Sequence, residues 1–283
     1  MARKRRSSGK ILIGGDMRRI MCYMLLMLVA VACVKFDEPT DSKITVDAPD
    51  ILYAEFGEED TRTYLEQDKY LRWSAGDEIS FFPVTSNVRY RFMGETGANS
   101  GVFEEITSGA ISGDALDNCY AVYPYAEGTT ISSDGVISFM LPAVQYYQQS
   151  SFGLGANTMV AVTANADDNV LRFKNACGYL KLKLYADNAT VKSIELKGNK
   201  GEKLAGSATI RAEYDANPVV TMSSGATTAI KLDCGDGVKL SGNADQPTTF
   251  LFVIPTITFA EGFTMSVTDV DGKVYEKATK KEF

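Results

Sequence analysis

The chain has 283 residues, 45% of them hydrophobic, a formal net charge of −7 and no histidine. The missing histidine excludes Ser-His-Asp and Cys-His catalysis and removes the commonest transition-metal ligand. An acidic surface is repelled by phosphate, which speaks against nucleic acid as a partner, and nothing in the composition calls for a cofactor.

In chain order, the first element is a leader. Arg3, Lys4, Arg5, Arg6, Lys10, Arg18 and Arg19 form a basic region ahead of an apolar run from Ile20 to Val34. That run covers 15 positions, whereas a membrane-spanning helix needs roughly 20. It is too short to span and reads as the apolar centre of a signal peptide, with Met17 and Met21 as alternative starts. Ala30-Val31-Ala32-Cys33 then resembles the lipobox of bacterial lipoproteins, in which the cysteine sulfur is acylated and the chain is cut before it. Ala30 departs from the usual leucine, and Ala30-Val31-Ala32 also satisfies an ordinary secretory cut. The cysteine falling directly after the cut favours the lipoprotein, with Cys33 as the lipidated residue. Acyl chains contribute about 0.8 kcal/mol per buried CH₂, enough to hold a chain on a membrane without a spanning helix. Residues 1–32 are therefore expected to be the signal peptide, and their loss makes the remaining chain more acidic still.

Residues 33–48 read as a lipidated acidic tether, polar and with little to pack. Beyond them the chain is rich in Val, Ile, Thr, Tyr and Phe in short alternating runs divided by turn residues, which predicts an all-β fold. The expected strands are ILYAEF, TYLE, YLRW, EISFFPV, VRYRFMG, GVFEEI, CYAVYPY, VISFML and NTMVAVTA. After them come LRFK, GYLKLKLYA, VKSIELKG, LAGSATIRA, PVVTM, AIKLDC, TTFLFVIP, FTMSVTDV and KVYEKA. In GYLKLKLYA the leucines alternate with Lys181 and Lys183, giving one buried and one wet face. At roughly 100 residues per antiparallel sandwich the length suits two in tandem. The polar run Asn165-Ala166-Asp167-Asp168-Asn169 is the natural junction, dividing a sandwich over 49–166 from one over 167–283.

The motifs that could carry chemistry are weak. Asp269-Val270-Asp271-Gly272 has part of a calcium-loop spacing but lacks its later ligands, and reads as a type I′ hairpin turn. Gly198-Asn199-Lys200-Gly201 and Gly235-Asp236-Gly237 open no helix and read as turns. Glu58-Glu59 and Glu104-Glu105 are adjacent on strands, so each pair points to opposite faces and cannot work as an acid/base couple. Cys119, Cys177 and Cys234 have no paired spacing and are expected as buried free thiols, with no metal site. The chain is read as non-enzymatic. Trp73 ends an alternating strand beside a tight turn and is expected in the core, although it could stack on a sugar ring. Tyr120, Tyr123, Tyr125, Tyr146 and Tyr147 could extend such a platform, Tyr146 and Tyr147 from the polar segment YYQQSSFG.

LRWSAGDEISFF, CYAVYPY, LPAVQ, TMVAV, LRFKNACGYLKLKL, VKSIELKGN and LAGSATI, in this order, resemble the fimbrillin-like family of Bacteroidota, the subunits of type V pili. The resemblance covers about residues 60 to 277. It implies two tandem transthyretin-like β-sandwiches, export as a lipoprotein and display on the outer membrane as a structural or adhesive subunit. It also implies cleavage near the first strands by a protease specific for Arg or Lys, and filling of the opened groove by a strand of a neighbouring pilus subunit. The expected partners are therefore other subunits, the membrane through the lipid, and a ligand on a host or bacterial surface. Arg62, in the hydrophilic stretch GEEDTRTYLE, and Lys43 are the candidate cleavage points; as plain surface residues they would need no further role. The chain ends at Phe283, short of the further strand usual in the family, which suits a truncated product or a subunit that accepts without donating. The alternative function is a surface glycan-binding lipoprotein using Trp73, Tyr146 and Tyr147.

Overall fold

The computed structural model describes residues 43–56, 71–106 and 109–282, and among these there are strands and turns but no helix. The strands are β1 (Lys43–Asp47), β2 (Ile51–Phe56), β3 (Glu78–Val84), β4 (Val88–Phe92), β5 (Ser100–Glu105), β6 (Ala110–Tyr123) and β7 (Thr130–Ile131). They continue as β8 (Val136–Leu141), β9 (Val144–Gln148), β10 (Ser151–Phe152), β11 (Met159–Val162), β12 (Val170–Asn175), β13 (Cys177–Leu184) and β14 (Thr190–Gly198). The last six are β15 (Gly206–Arg211), β16 (Val219–Met222), β17 (Ala229–Lys239), β18 (Thr248–Pro255), β19 (Phe263–Asp269) and β20 (Val274–Ala278). The all-β expectation holds.

The first sheet closes on itself. β6, β11, β12, β2, β5, β4 and β3 pair in that order, and β3 pairs again with β6. Only the β2–β12 pair in this ring is parallel. The first half of β6 leaves the ring and carries β1, with Lys43 opposite Asp114 and Thr45 opposite Ser112. Closure removes the open edges that a sandwich would leave. β1 corrects the end of the tether reading, because Ile44 and Val46 alternate with polar neighbours and KITVD pairs as a strand, while residues 33–42 lie outside the described residues.

The remaining strands form a six-stranded sheet in the order β10-β9-β17-β14-β19-β20, a four-stranded sheet β16-β15-β8-β7, and the lone pair β13–β18. Pairing crosses residue 166 in both directions. β8 and β9 lie before it and pair with β15 and β17, while β12 lies after it and pairs with β2. The segment 165–169, expected as a junction, is the hairpin turn between β11 and β12. Its polar residues serve the turn itself: the Asn165 side-chain oxygen accepts the Asp167 N–H at 2.9 Å, and Asp168 accepts the Val170 N–H at 3.0 Å.

Two apolar cores result, and β18 is the wall between them. Its uninterrupted run FLFV is buried on both faces, as a strand packed on two sides requires. Phe250 and Phe252 enter one core with Leu196, Ile230 and Leu232, while Leu251 and Val253 enter the other with Trp73, Phe81 and Phe173. β13, beside it, has its expected alternation, with Lys181 and Lys183 exposed and the leucines turned inward. The wall is tied to β9 by Gln145, which is 2% exposed. Its side-chain amide donates to the Val253 carbonyl at 2.7 Å and accepts the Val253 N–H at 2.9 Å. One amide thus replaces a neighbouring strand where β18 has none.

Two turn readings change. Gly235 and Gly237 sit inside β17 with φ of 58° and 121°. There the register against β14 shifts between Val191 and Ser193, so they form a bulge rather than a turn. Between β19 and β20 only Gly272 has positive φ, 81°, so the hairpin is not type I′. Asp269 instead accepts the N–H groups of Asp271 and Lys273 at 3.0 and 2.9 Å.

Cys119, Cys177 and Cys234 are free and buried, and burial pushes their thiols up to about 11, about 12 and about 11. On the ring's surface Glu78 faces two arginines. One carboxylate oxygen accepts from Arg89 and the other from Arg91, with closest approaches of 2.5 and 2.8 Å. Burial pushes the Glu78 carboxyl up, but the hydrogen bonds and charges of Arg89 and Arg91 outweigh it and hold the group below its usual range. A depressed carboxyl stabilises the fold fully above its unfolded value, near 4.5, and that contribution is lost as pH falls through the folded value. Glu78→Gln is therefore expected to cost about 1 kcal/mol at pH 7 and almost nothing well below pH 4, as urea unfolding at the two pH values will show. Asp77 works in the opposite sense. Burial raises its carboxyl against hydrogen bonds from the Ser74 N–H and the Tyr123 hydroxyl, so its ionised form costs stability that returns as pH falls towards 3.8.

Candidate strand slot

Among the described residues β2 is the one ring strand that lies before Arg62 in sequence. It is wedged between β12, to which it runs parallel, and β5, to which it runs antiparallel. Its alternating sequence explains the placement. Leu52 and Ala54 turn inward, 0% and 3% exposed, while Ile51, Tyr53 and Glu55 face out. Leu52 lies opposite Phe103 and Ala54 opposite Gly101. On the other flank Leu171 stands beside Ala54, Phe173 beside Phe56, and the Arg172 guanidinium meets Glu55 at 2.8 Å.

Trp73 forms the floor at the carboxyl end of this slot. Phe56 stacks on it at 4.9 Å between ring centroids with an interplanar angle of 18°. Phe103, Tyr123 and Phe173 meet it edge-on at 5.0, 5.6 and 5.3 Å. Its indole N–H is buried without a hydrogen-bond partner among the described residues. At 0% exposure Trp73 cannot be a sugar platform, so the core expectation holds and the glycan reading loses its main aromatic residue.

The two tyrosines expected to share that platform are parted. Tyr146 and Tyr147 both lie in β9, where neighbouring side chains point to opposite faces. Tyr146 is 63% exposed, whereas Tyr147 turns inward and packs against Phe250 at 5.2 Å. Tyr123 is buried, and Tyr125 lines a cleft of about 450 Å³ with Asn87, Arg89 and Ser112. There the Arg89 guanidinium already covers the Tyr125 ring at 4.8 Å. Of the other expected site residues, Lys43 opens β1 at the surface, while Cys33 and Arg62 lie outside the described residues. Among the described residues no group of acidic side chains and cysteines gathers as a metal site.

No family model matches the chain, and no curated protein does. Among solved structures the chain is similar to two Bacteroides proteins described provisionally as cell adhesion proteins. The one from Bacteroides ovatus is 16% identical, with 82% of this chain and 86% of that one covered and a TM-score of 0.47. The one from Bacteroides uniformis is 16% identical, with 85% of each chain covered and a TM-score of 0.43. A third likeness is to the tip fimbrial protein Mfa3 of Porphyromonas gingivalis with a C-terminal truncation, 9% identical over 83% of this chain and 81% of that one, with a TM-score of 0.24. Identities of 16% or less and TM-scores below 0.5 leave function to be argued from the chain's own residues.

Proposed function

We propose that the chain is a non-catalytic surface lipoprotein, held at the outer membrane through Cys33 until it is cut, that serves as a structural or adhesive subunit of a type V pilus and joins its neighbours by β-strand addition. The observation that carries this reading is the position of β2, early in sequence yet seated in the middle of a closed ring. A cut after Arg62 severs β2 from the rest of the ring and β1 from β6. Their departure opens a slot with unpaired backbone on both sides, on β12 and β5, and with apolar pockets between them, which is what strand addition requires. A cut after Lys43 would leave β2 in place and the ring closed, so the geometry favours Arg62. A strand supplied by one subunit to the slot of the next is a head-to-tail contact, which builds filaments rather than closed rings.

Three variants test this in cells. Cys33→Ala is expected to abolish incorporation of labelled palmitate and release the protein from the membrane fraction. Arg62→Ala is expected to leave an anchored monomer without the ladder of higher species, whereas Lys43→Ala leaves the ladder intact. No palmitate in the wild type removes the anchor, and an unchanged ladder in Arg62→Ala removes the assembly route.

A further inference from the structure

We propose that the slot held by β2 reads the sequence of the strand it accepts: a large aliphatic residue, an outward residue, a small residue, an acidic residue and an aromatic residue, in that order and parallel to β12. Arg172 and Trp73 are the side chains that fix its register. The inference rests on the strand-replacement reading above and names the partner strand by its chemistry.

Each position follows from what surrounds it. The direction is set because β12 pairs in parallel and β5 antiparallel, and because the Tyr53 N–H donates to the Asn169 carbonyl at 2.9 Å where β12 begins. The first inward position, held by Leu52, is fully enclosed and lies opposite Phe103, so it takes a large aliphatic side chain. The second, held by Ala54, lies opposite Gly101. The space above that glycine is filled by the Phe92 ring, because a β-carbon placed on Gly101 would come within 2.5 Å of it. A methyl fits beside that ring and a longer side chain meets it. The third inward position ends on the face of Trp73, which its edge contacts with Phe103, Tyr123 and Phe173 hold in place whether or not β2 is present.

The acidic position is also prepared from the far side. Arg172 meets Glu55 on one side and donates to the Tyr214 hydroxyl at 3.2 Å on the other. Lys174, on the same face of β12, donates to the carbonyls of Tyr214 and Ala216 at 2.9 and 3.0 Å. All of these groups remain after loss of residues 1–62, so two cations stay in place where the incoming strand must lie. A slip of one residue turns every side chain to the wrong face. A slip of two keeps the faces, but carries the acidic residue away from Arg172 and the aromatic away from Trp73. Two readers at one end therefore reject the even-numbered slips that alternation alone would allow.

Trp73 is the sole tryptophan of the chain, so its fluorescence reports whether the slot is filled. The test uses the full chain with a sequence-specific protease site inserted after Arg62. After cutting, the tagged amino-terminal fragment is removed in denaturant and the remainder is refolded with a synthetic peptide of residues 49–58. The unmodified peptide is expected to restore the blue emission of the intact protein. Ala54→Leu in the peptide is expected to weaken binding about tenfold or more, as overpacking does. Glu55→Lys is expected to weaken it about fivefold, and Arg172→Glu in the chain restores binding of that peptide. Equal binding of all three peptides overturns the code and leaves strand replacement standing, whereas failure of every peptide overturns both.

The uncut chain supplies a measurement that needs no refolding. There Glu55→Lys and Arg172→Glu are expected to destabilise singly and compensate when combined. Strict additivity of the two would remove Arg172 as a reader.

Discussion

Trp73→Ala is expected to lower the unfolding free energy by about 4 kcal/mol, the middle of the range for truncating a fully buried aromatic. The reason is the number of rings that lose a partner at once. Phe56 stacks on the indole, Phe103, Tyr123 and Phe173 meet it edge-on, and Phe92 lies tilted at 5.9 Å. These rings come from β2, β5, β6, β12 and β4, so the cavity left by alanine opens at the centre of the ring and no single strand can relax into it. Trp73→Phe keeps a ring in the same place and should cost about half as much. The indole N–H makes no hydrogen bond among the described residues, so its loss carries no polar penalty. Urea unfolding followed by circular dichroism measures both variants without relying on the lost fluorophore. A Trp73→Ala protein as stable as the wild type would mean that the aromatic cluster does not hold the ring together.

Gln145→Leu is the second large effect, expected at about 3 kcal/mol. Leucine matches glutamine roughly in size, so packing changes little, but the substitution strips the Val253 N–H and C=O of their partners at once. Each buried main-chain group left unsatisfied costs about 1–3 kcal/mol. Val253 is 0% exposed, so water cannot take over either bond without the wall moving. The damage should be local to the junction of β9 and β18. Hydrogen exchange is therefore expected to speed up first at Val253 and its β18 neighbours, while the β2–β5 pairing keeps its protection. Uniform loss of protection, or a cost below about 0.5 kcal/mol, would show that the amide is not the tie between the two sheets.

The sequence makes the strands legible and their partners much less so. TTFLFVIP, VISFML and EISFFPV coincide with β18, β8 and β3 because alternation and continuous apolar runs are local consequences of which faces are buried. β6 begins at Ala110, ahead of the CYAVYPY stretch that betrays it, because ISGDALDN is too polar to read as a strand and is held there by pairing with β1. β9 hides in YYQQ for the same reason, stabilised by a parallel neighbour far away in sequence. Residues 165–169 look like a linker because tight turns and linkers draw on the same polar residues, and only pairing distinguishes them. Ring closure through β3 and β6 has no local signature at all.

Within the slot, the burial of Trp73 was legible from the alternation of YLRW beside a turn, although the structure corrects that strand: among the described residues Trp73 makes only an isolated bridge to Ala98. The alternation of Leu52 and Ala54 was equally visible. What could not be read is that β12 would supply the parallel flank and Arg172 the partner for Glu55, since both lie more than a hundred residues downstream. The likeness of Trp73, Tyr146 and Tyr147 to a sugar platform is a compositional one. It dissolves once strand pairing sends the first into the core and turns the other two to opposite faces.

In the assembled fibre β1 and β2 are expected to have left so that another strand can take the place of β2. Mass spectrometry of the amino terminus of this chain, taken from assembled surface fibres, tests it most directly. A chain beginning at Thr63, with residues 43–56 absent from the fibre, is the predicted result. A fibre whose subunits still begin at Cys33 or Ile44, with β2 in its slot, would contradict it.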